Sequence, residues 1–196
     1  MILFGNQQNR NVITYTPQTI TIGTQTWCLR NFSESTLIDG TVIPQVQDAS
    51  WTTLTSAAWC NYQDNAEISA EYGKLYNWYA CAIIDAAYNP KGYRVATQSD
   101  FTTLIAYLGG TTVAGKAMKE AGTAHWAAGN TGDNSSGFTS YGSGIRSAGS
   151  YTYHTLRAYF WQSTNLTGYN IRYNTNSITT GTNLINDGFS IRLIKI

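Results

Sequence analysis

The sequence has 196 residues and a formal net charge of +1, and 12% of its residues are charged whereas 13% are aromatic. This length suits one domain with a sizeable core, and the low, scattered charge argues against nucleic acid or an anionic membrane as a partner. No apolar run reaches the roughly 18 residues that a membrane-spanning helix needs, and residues 1–11 lack the pattern of a signal peptide. We therefore expect a single domain that does not insert into a membrane and that carries no secretion signal.

A polar lead-in or attachment segment is predicted over residues 1–18, followed by one domain over residues 19–196. The domain begins with TITIGTQTW, residues 19–27, where apolar residues alternate around a Gly-Thr turn in the manner of a β-hairpin. Residues 33–58 show no clear period and contain many Ser and Thr. This composition indicates an extended loop with room for one short strand.

The first helix is predicted at about residues 75–84, because apolar residues recur there at spacings of three and four. The segment YNPKGYRV then predicts a turn at residues 90–92 and a short strand at residues 93–95. A second helix is predicted within residues 96–110, where Thr or Ser can cap the start and a Gly-Gly pair can end it.

The second half of the chain is rich in Gly, Ser, Asn and aromatic residues, which indicates loops and short antiparallel strands. Residues 114–122 can add one helical turn before it. The final segment FSIRLIKI, residues 189–196, predicts a strand with one strongly apolar face. Because helices gather in the first half and strands in the second, we predict an α+β domain whose terminal strands can close on each other.

Cysteines and histidines offer little chemistry in this pattern. Cys28, Cys60 and Cys81 form no CxxC pair and have no nearby His, so burial as small apolar residues is expected, with a Cys60–Cys81 disulfide left open. His125 and His154 are the only histidines. We predict no catalytic residue, with a hydrolase acting through these histidines as the weakest alternative.

Neither a metal site nor a cofactor is predicted. The Asp-Asn pair at residues 133–134 and the Asn-Asp pair at residues 186–187 both precede glycine closely and are expected to form turns. A structural cation at residues 133–134 is the alternative.

The stretch from Tyr159 to the C-terminus encloses many Asn, Thr, Tyr, Ser and Gly residues between short apolar-alternating segments. Tyr offers a stiff, amphipathic contact surface and Asn, Ser and Thr offer adaptable hydrogen bonds, a combination that recognition loops use. A binding face and an ordinary polar hairpin both fit this composition. On the first interpretation the contact residues are Tyr151, Tyr153, His154, Asn165, Thr167, Tyr169, Asn170, Arg172, Tyr173, Asn174, Asn176, Thr182 and Asn183.

Strand alternation limits this set. If residues 168–174 form a strand, Tyr169 and Tyr173 point to one face and Asn170 and Arg172 point to the other. Only one of these faces can be fully exposed. The alternative is that the tyrosines belong to the core and the polar residues are merely solvated.

Seven stretches follow one another along the chain: IGTQTW (22–27), YGKLYNWYA (72–80), GYRVATQSDFTTLIAYLGG (92–110), AGKAMKEAGTAHW (114–126), NTGDNSSGFT (130–139), FWQST (160–164) and GFSIRLIK (188–195). In this order, and over roughly residues 19–196, they resemble the Fibrobacter succinogenes major paralogous domain family. Relatives often have cysteine near Ile68 and where this chain has Asn89. The resemblance therefore implies no disulfide partner for Cys60 at those positions.

The resemblance implies a C-type-lectin-like fold, a fold also found in formylglycine-generating sulfatase-modifying domains. The sulfatase-modifying relatives use a cysteine pair in the C-terminal half, but this chain has no cysteine after Cys81. The Glu-Pro-Asn and Trp-Asn-Asp motifs of calcium-dependent sugar-binding lectins are also absent. The resemblance thus implies a scaffold that displays loops on a rigid core, without an implied ligand.

We accordingly expect a non-enzymatic receptor-binding module, such as the tip of a phage tail fibre or a surface adhesin, located in a virion or outside the cell. Residues 165–186 consist largely of the residue types that retroelement-driven, adenine-directed mutagenesis of Asn codons produces. The expected partner is a cell-surface protein or polysaccharide, and a homotrimer is the expected assembly of a fibre tip. The alternative is a structural domain of a cell-surface lipoprotein or fibre with no specific ligand.

Overall fold

The computed structural model describes residues 15–196, and this part of the chain has the mixed α+β architecture expected from the order of its elements. The helices are α1 (Ala66–Tyr72), α2 (Tyr79–Tyr88), α3 (Gln98–Tyr107) and α4 (Ala114–Met118). The strands are β1 (Thr19–Ile22), β2 (Gln25–Cys28), β3 (Trp59–Cys60), β4 (Leu75–Tyr76), β5 (Tyr93–Val95), β6 (Ser143–Ser147), β7 (Ser150–His154), β8 (Arg157–Phe160), β9 (Thr167–Arg172), β10 (Ile178–Thr182) and β11 (Leu193–Lys195). Most of the predicted lead-in segment, residues 1–14, lies outside the described residues.

One sheet joins the two ends of the domain. Its strand order is β1-β2-β11-β5, and Ile194 lies opposite both Trp27 of β2 and Arg94 of β5. The predicted hairpin is confirmed, because β1 and β2 pair antiparallel around a turn in which Gly23 has a φ of +61°. The expected closure of the terminal strands is therefore confirmed as well, with β11 inserted next to β2.

A second sheet carries the C-terminal half of the chain. Its strand order is β10-β9-β8-β6-β7, with β6 and β8 parallel and the other pairs antiparallel. The inner face of this sheet packs on α3 and α4 through a cluster that includes Phe101, Phe160, Tyr169 and Ile171. The strands β3 and β4 form a separate two-stranded sheet. No helix among residues 15–196 combines the length and apolar character needed to cross a bilayer.

The helix α3 confirms the prediction for residues 96–110. Thr97 Oγ1 accepts a hydrogen bond from the Asp100 backbone N–H, and the Asp100 carboxylate accepts one from the Thr97 backbone N–H. This capping box satisfies donors at the helix start that have no partner within the helix. Arg94 forms an ion pair with the same carboxylate.

Two helices differ from their predictions for identifiable reasons. The helix predicted at residues 75–84 begins only at Tyr79, because Leu75 pairs with Cys60 in the β3–β4 sheet. The prediction also missed α1, whose start is capped by Asn65 through hydrogen bonds from two backbone N–H groups. Tertiary pairing overrode the helical periodicity in the first case.

The strand predicted over residues 189–196 covers only Leu193–Lys195 in the structure, so its predicted bounds are wrong. The segment that leads into it is buried on both sides, since Ser190 and Arg192 are as fully buried as Phe189 and Ile191. The Arg192 guanidinium donates hydrogen bonds to three backbone carbonyls at 2.8–3.0 Å and to the side-chain oxygen of Asn31. A charge can be buried here because the loops around it supply these acceptors.

The three cysteines are free and buried, so the Cys60–Cys81 disulfide does not form. Burial raises the pKa of Cys28 and of Cys60 to about 11. Their thiols are therefore protonated at neutral pH, as expected for cysteines that serve as small apolar residues.

Candidate binding site

Three of the candidate contact residues have much of their surface inside the protein. Tyr169 is 3% exposed and stacks on Phe101 with ring centroids 4.3 Å apart, so it belongs to the core and cannot be an external contact. Tyr151 is half-buried beside the Arg146 guanidinium, and His154 stacks on Tyr62. The interpretation that the Tyr169 face of β9 is core is the one that fits this strand.

A second group lies where β9 begins and β10 ends, near the start of α3. Thr167 and Thr182 are opposite each other in the β9–β10 pair. Asn165 donates to the Gln98 side chain, and Asn183 donates to the Gly181 carbonyl. These amides already donate hydrogen bonds within the chain, so they have fewer free donors for a partner.

A third group lines one pocket at the opposite end of the same hairpin. The pocket has a volume of about 210 Å³ and is lined by Tyr153, Leu156, Arg157, Arg172, Tyr173 and Asn174. Four of these residues were candidates from the sequence: Tyr153, Arg172, Tyr173 and Asn174. The remaining candidates flank it, because Asn170 precedes Arg172 on the same face of β9 and Asn176 lies in the exposed β9–β10 connection.

The pocket is open because the core covers only part of the outer face of the second sheet. At Gly168, a Cβ atom would lie 2.6 Å from the Phe189 ring, so this end of β9 is in close contact with the C-terminal segment. Tyr159 of β8 also packs on Phe189. Beyond these residues no such cover reaches Arg172, which is exposed. The uncovered end of the outer face therefore defines the candidate site.

Two arginines lie side by side across the central strands at this uncovered end. Arg157 of β8 and Arg172 of β9 are directly opposite each other in the antiparallel register. Side chains at directly opposite positions project from the same face of a sheet, and like charges in that arrangement repel. The free protein thus carries two positively charged side chains at neighbouring positions on one face of the sheet.

Arg157 is held in place by two tyrosines. Its guanidinium carbon lies 3.9 Å from the centroid of the Tyr153 ring, and one of its nitrogens donates to the Tyr159 hydroxyl at 3.0 Å. The Tyr153 and Tyr159 rings are nearly parallel, with centroids 6.5 Å apart. These contacts orient the guanidinium and leave most of its donors unpaired within the described residues.

No carboxylate within residues 15–196 forms an ion pair with either arginine. Residues 1–14 contain no Asp or Glu, so every acidic side chain of the sequence belongs to the described part. The two arginines therefore remain without an acidic partner in the chain.

Lys119 anchors the turn that completes the pocket. Its ammonium group, at the end of α4, donates to the carbonyls of Arg172, Tyr173 and Thr175 at 2.8–2.9 Å and to the Thr131 hydroxyl at 2.7 Å. Burial lowers the pKa of Lys119 to about 8. This buried cation fixes the backbone of the β9–β10 connection beside Arg172.

A family model, the Fibrobacter succinogenes major domain, matches residues 20–195. The chain belongs to this family. The matched range contains every residue that lines the pocket, so the candidate site is part of the Fibrobacter succinogenes major domain itself. No curated protein and no solved structure gives a significant match to the chain.

A second pocket of the Fibrobacter succinogenes major domain, of about 270 Å³, lies near His125 and has Glu71 and Tyr141 in its lining. His125 forms hydrogen bonds of 2.8 Å with Glu71 and 2.7 Å with Glu120, and its ring stacks on Tyr141. Both ring nitrogens of His125 are therefore occupied by hydrogen bonds to carboxylates of the chain. His125 thus has no free ring nitrogen for a ligand, whereas the arginines of the first pocket keep unpaired donors within the described residues.

Neither histidine is hydrogen-bonded to a hydroxyl or thiol within the described part of the chain. His125 contacts two carboxylates, and burial among aromatic rings lowers the pKa of His154. Residues 15–196 also hold no group of three or more His, Cys, Asp or Glu side chains that could bind a metal ion. The Asp133–Asn134 segment forms the predicted turn, with both side chains accepting backbone hydrogen bonds.

Sequence reasoning missed Arg157, Leu156 and Tyr159. The alternation in RAYF, residues 157–160, is a signal that could have found Arg157 and Tyr159, because it is typical of a strand whose Arg and Tyr share a face. What it could not indicate was the pairing of this strand with β9, which places Arg157 opposite Arg172.

Proposed function

We propose that this protein is a non-enzymatic ligand-binding module whose contact surface is the pocket lined by Tyr153, Leu156, Arg157, Arg172, Tyr173 and Asn174. The observation that carries the proposal is the Arg157–Arg172 pair, which has no acidic partner and lies beside the exposed ring of Tyr153 and the half-buried ring of Tyr173. Tyr and Arg are the residue types most enriched at energetically dominant interface positions. Their convergence at an uncovered sheet surface is typical of a site that receives a partner.

We further assign the module to a receptor-binding tip of a phage tail fibre or to a surface adhesin, in a virion or outside the cell. The partner would be a cell-surface protein or polysaccharide. The C-type-lectin-like fold belongs to the same proposal, supported by the adjacent terminal strands and the loop-rich second half. The exposed Asn174 and Asn176 in the β9–β10 connection fit a surface that tolerates sequence variation.

A structural domain without a specific ligand is the second candidate function. It is favoured by the amides at the other end of the hairpin, since Asn165 and Asn183 direct their hydrogen bonds to the chain itself. A spacer domain of a fibre or cell-surface lipoprotein needs no open pocket. It needs only a surface whose polar side chains are hydrogen-bonded within the chain, as these two amides are.

An array of glycans and cell-surface proteins tests the proposal. We expect the full chain to bind at least one array component, and the Tyr153→Asn/Arg172→Gln variant to lose that binding. Asn is chosen at residue 153 because the backbone there has a φ of +65°, which Asn tolerates. A matched Asn165→Ala/Thr182→Ala variant, altered at the other end of the hairpin, should bind as the unchanged protein does. Equal loss in both variants would show that binding is not confined to this pocket and would overturn its assignment, whereas no binding to any component would favour the structural domain.

The assembly is tested separately by sedimentation. A trimer of the full chain supports the fibre-tip assignment, because tips of symmetric fibres are closed assemblies of identical chains. A monomer at all concentrations would count against the fibre tip and would leave the adhesin assignment standing.

A further inference from the structure

We propose that Arg157 and Arg172 together bind a carboxylate carried on a sugar ring, so that the ligand of this module is an acidic glycan. The inference rests on the proposed function, because it names the ligand class of the same pocket. It is carried by the charges, the register and the aromatic surfaces of the pocket.

The positions of the two arginines favour an anion as their partner. Direct opposition in the β8–β9 register places two like charges on one face, and no acidic side chain of the described residues pairs with them. A bound carboxylate would relieve the repulsion and accept hydrogen bonds from both guanidinium groups. Arginine suits this role because its planar donors match the two oxygens of a carboxylate.

One arginine is pre-positioned and the other is free to adapt. Arg157 lies against the Tyr153 ring and donates to the Tyr159 hydroxyl, so little of its conformational freedom is left to lose on binding. Arg172 is exposed and makes no side-chain hydrogen bond within the described residues. It can therefore close on an anion that Arg157 has already oriented.

The remaining lining of the pocket fits a sugar ring better than a larger molecule. Its volume of about 210 Å³ is below the roughly 300 Å³ at which pockets for drug-sized ligands begin, so it accommodates one ring. Tyr153, Tyr173 and Leu156 offer apolar and aromatic surface to the C–H face of such a ring. Asn174 adds an amide that can donate to and accept from hydroxyl groups.

An acidic peptide fits the site less well. Extended peptides commonly bind by adding a strand to a free sheet edge, where unpaired backbone groups are available. β8 lies between β9 and β6, and β9 lies between β10 and β8, so neither arginine is on a free strand edge; the edge strand β7 contributes Tyr153 to the pocket. A peptide seated on the two arginines would thus have side-chain contacts alone, whereas a glycan needs no backbone partner.

The test uses calorimetric titration of the full chain with a glucuronic-acid-containing oligosaccharide and with its carboxyl-reduced counterpart. The two probes differ only in the carboxylate. We expect the acidic probe to bind at least about tenfold more tightly than the reduced one, because charge-assisted hydrogen bonds are lost in the latter. The affinity should also fall as salt is added.

Variants separate the arginine pair from general positive charge. Arg157→Gln and Arg172→Gln should each lower the affinity for the acidic probe by about tenfold or more. The Lys91→Gln/Lys195→Gln variant removes two exposed positive charges from other elements and should leave the affinity unchanged. Equal binding of the acidic and reduced probes, or equal loss in the lysine control, would overturn the proposal.

Two further probes distinguish other sources of negative charge. Oligoglutamate binding more tightly than the acidic oligosaccharide would overturn the glycan assignment in favour of a peptide. Acetate competing as strongly as the oligosaccharide at equal carboxylate concentration would show that the ring contributes nothing and would also overturn it. If the array detects a ligand without a carboxylate whose binding is lost in the Tyr153→Asn/Arg172→Gln variant, this inference fails while the binding-module proposal stands.

Discussion

The interior and the outer face of this domain use arginine in opposite ways. Arg146 and Arg192 are each 1% exposed, and each donates to three backbone carbonyls of surrounding loops. Arg157 and Arg172 lie on the uncovered end of a sheet, face each other, and are paired with no carboxylate among the described residues. The same type of side chain thus holds loops together in the interior, whereas on the outer face it has no acidic partner, and there we propose that it binds a ligand.

This difference separates stability from function in the molecule. Removing an interior arginine leaves buried carbonyls without donors, which is costly because they cannot be resolvated. Removing an outer arginine relieves a repulsion and costs at most one hydrogen bond, that of Arg157 to the Tyr159 hydroxyl. Stability measurements should therefore rank the substitutions in the order of their burial, and binding measurements should not.

The largest effect is expected from Arg192→Met. Its replacement leaves three backbone carbonyls and the Asn31 side-chain oxygen without their donors, at a cost of about 3 kcal/mol or more in the free energy of unfolding. Urea unfolding at neutral pH measures this loss. Arg146→Met is the parallel variant and should behave similarly. A loss below about 1 kcal/mol in both would show that water replaces these donors and would remove the distinction between the two regions.

Lys119→Met should rank second and should affect both stability and binding. We expect a loss of about 2 kcal/mol, because three carbonyls of the β9–β10 connection lose a donor. Since the connection carries Tyr173 and Asn174, affinity for the acidic oligosaccharide should fall as well. An unchanged affinity would mean that the pocket does not depend on this anchor.

The same variant has a pH signature. Burial lowers the pKa of Lys119 to about 8 from its ordinary value of 10.5, so between these values the unfolded chain binds more protons than the folded one. The free energy of unfolding of the unchanged protein, measured relative to Lys119→Met, should therefore rise with pH across this window. A fall over the same range would contradict the lowered pKa.

Asp100→Asn should lower the free energy of unfolding by a smaller amount, and this loss should depend on pH in the acidic range. Burial by itself would raise the pKa of Asp100, but hydrogen bonds from Arg94 and Thr97 outweigh it and lower the pKa below its ordinary value of 3.8. A depressed carboxyl pKa contributes stability above the unfolded value, and this is lost as pH falls through the folded one. We expect a loss of about 1–2 kcal/mol at neutral pH that shrinks below pH 3.8. A pH-independent loss would point to packing instead.

The smallest change in stability is expected from Arg157→Gln/Arg172→Gln. Its free energy of unfolding should stay within about 0.5 kcal/mol of the unchanged protein, or rise slightly as the repulsion is removed. Thermal and urea unfolding measure this, alongside the titrations that should show lost binding. A destabilisation above about 2 kcal/mol would make the pair structural and would erase the contrast with the interior arginines.

Local patterns in the sequence predicted much of the first half of the domain. The hairpin around Gly23 and the helix capped by Thr97 were predictable because turn and cap chemistry are decided by neighbours in the chain. Leu75 shows where this fails. Its helical spacing was real, yet pairing with Cys60 made it a strand residue.

The sequence by itself determined the family, the α+β class and a polar, tyrosine-rich C-terminal half, in which four of the six pocket residues were candidates. Only the tertiary structure decided which face of β9 is buried, removing Tyr169 from the surface and exposing Arg172. It also brought Arg157 opposite Arg172 and left both without an acid. The physical reason is that burial and charge pairing depend on contacts between distant segments, and local spacing carries no information about them.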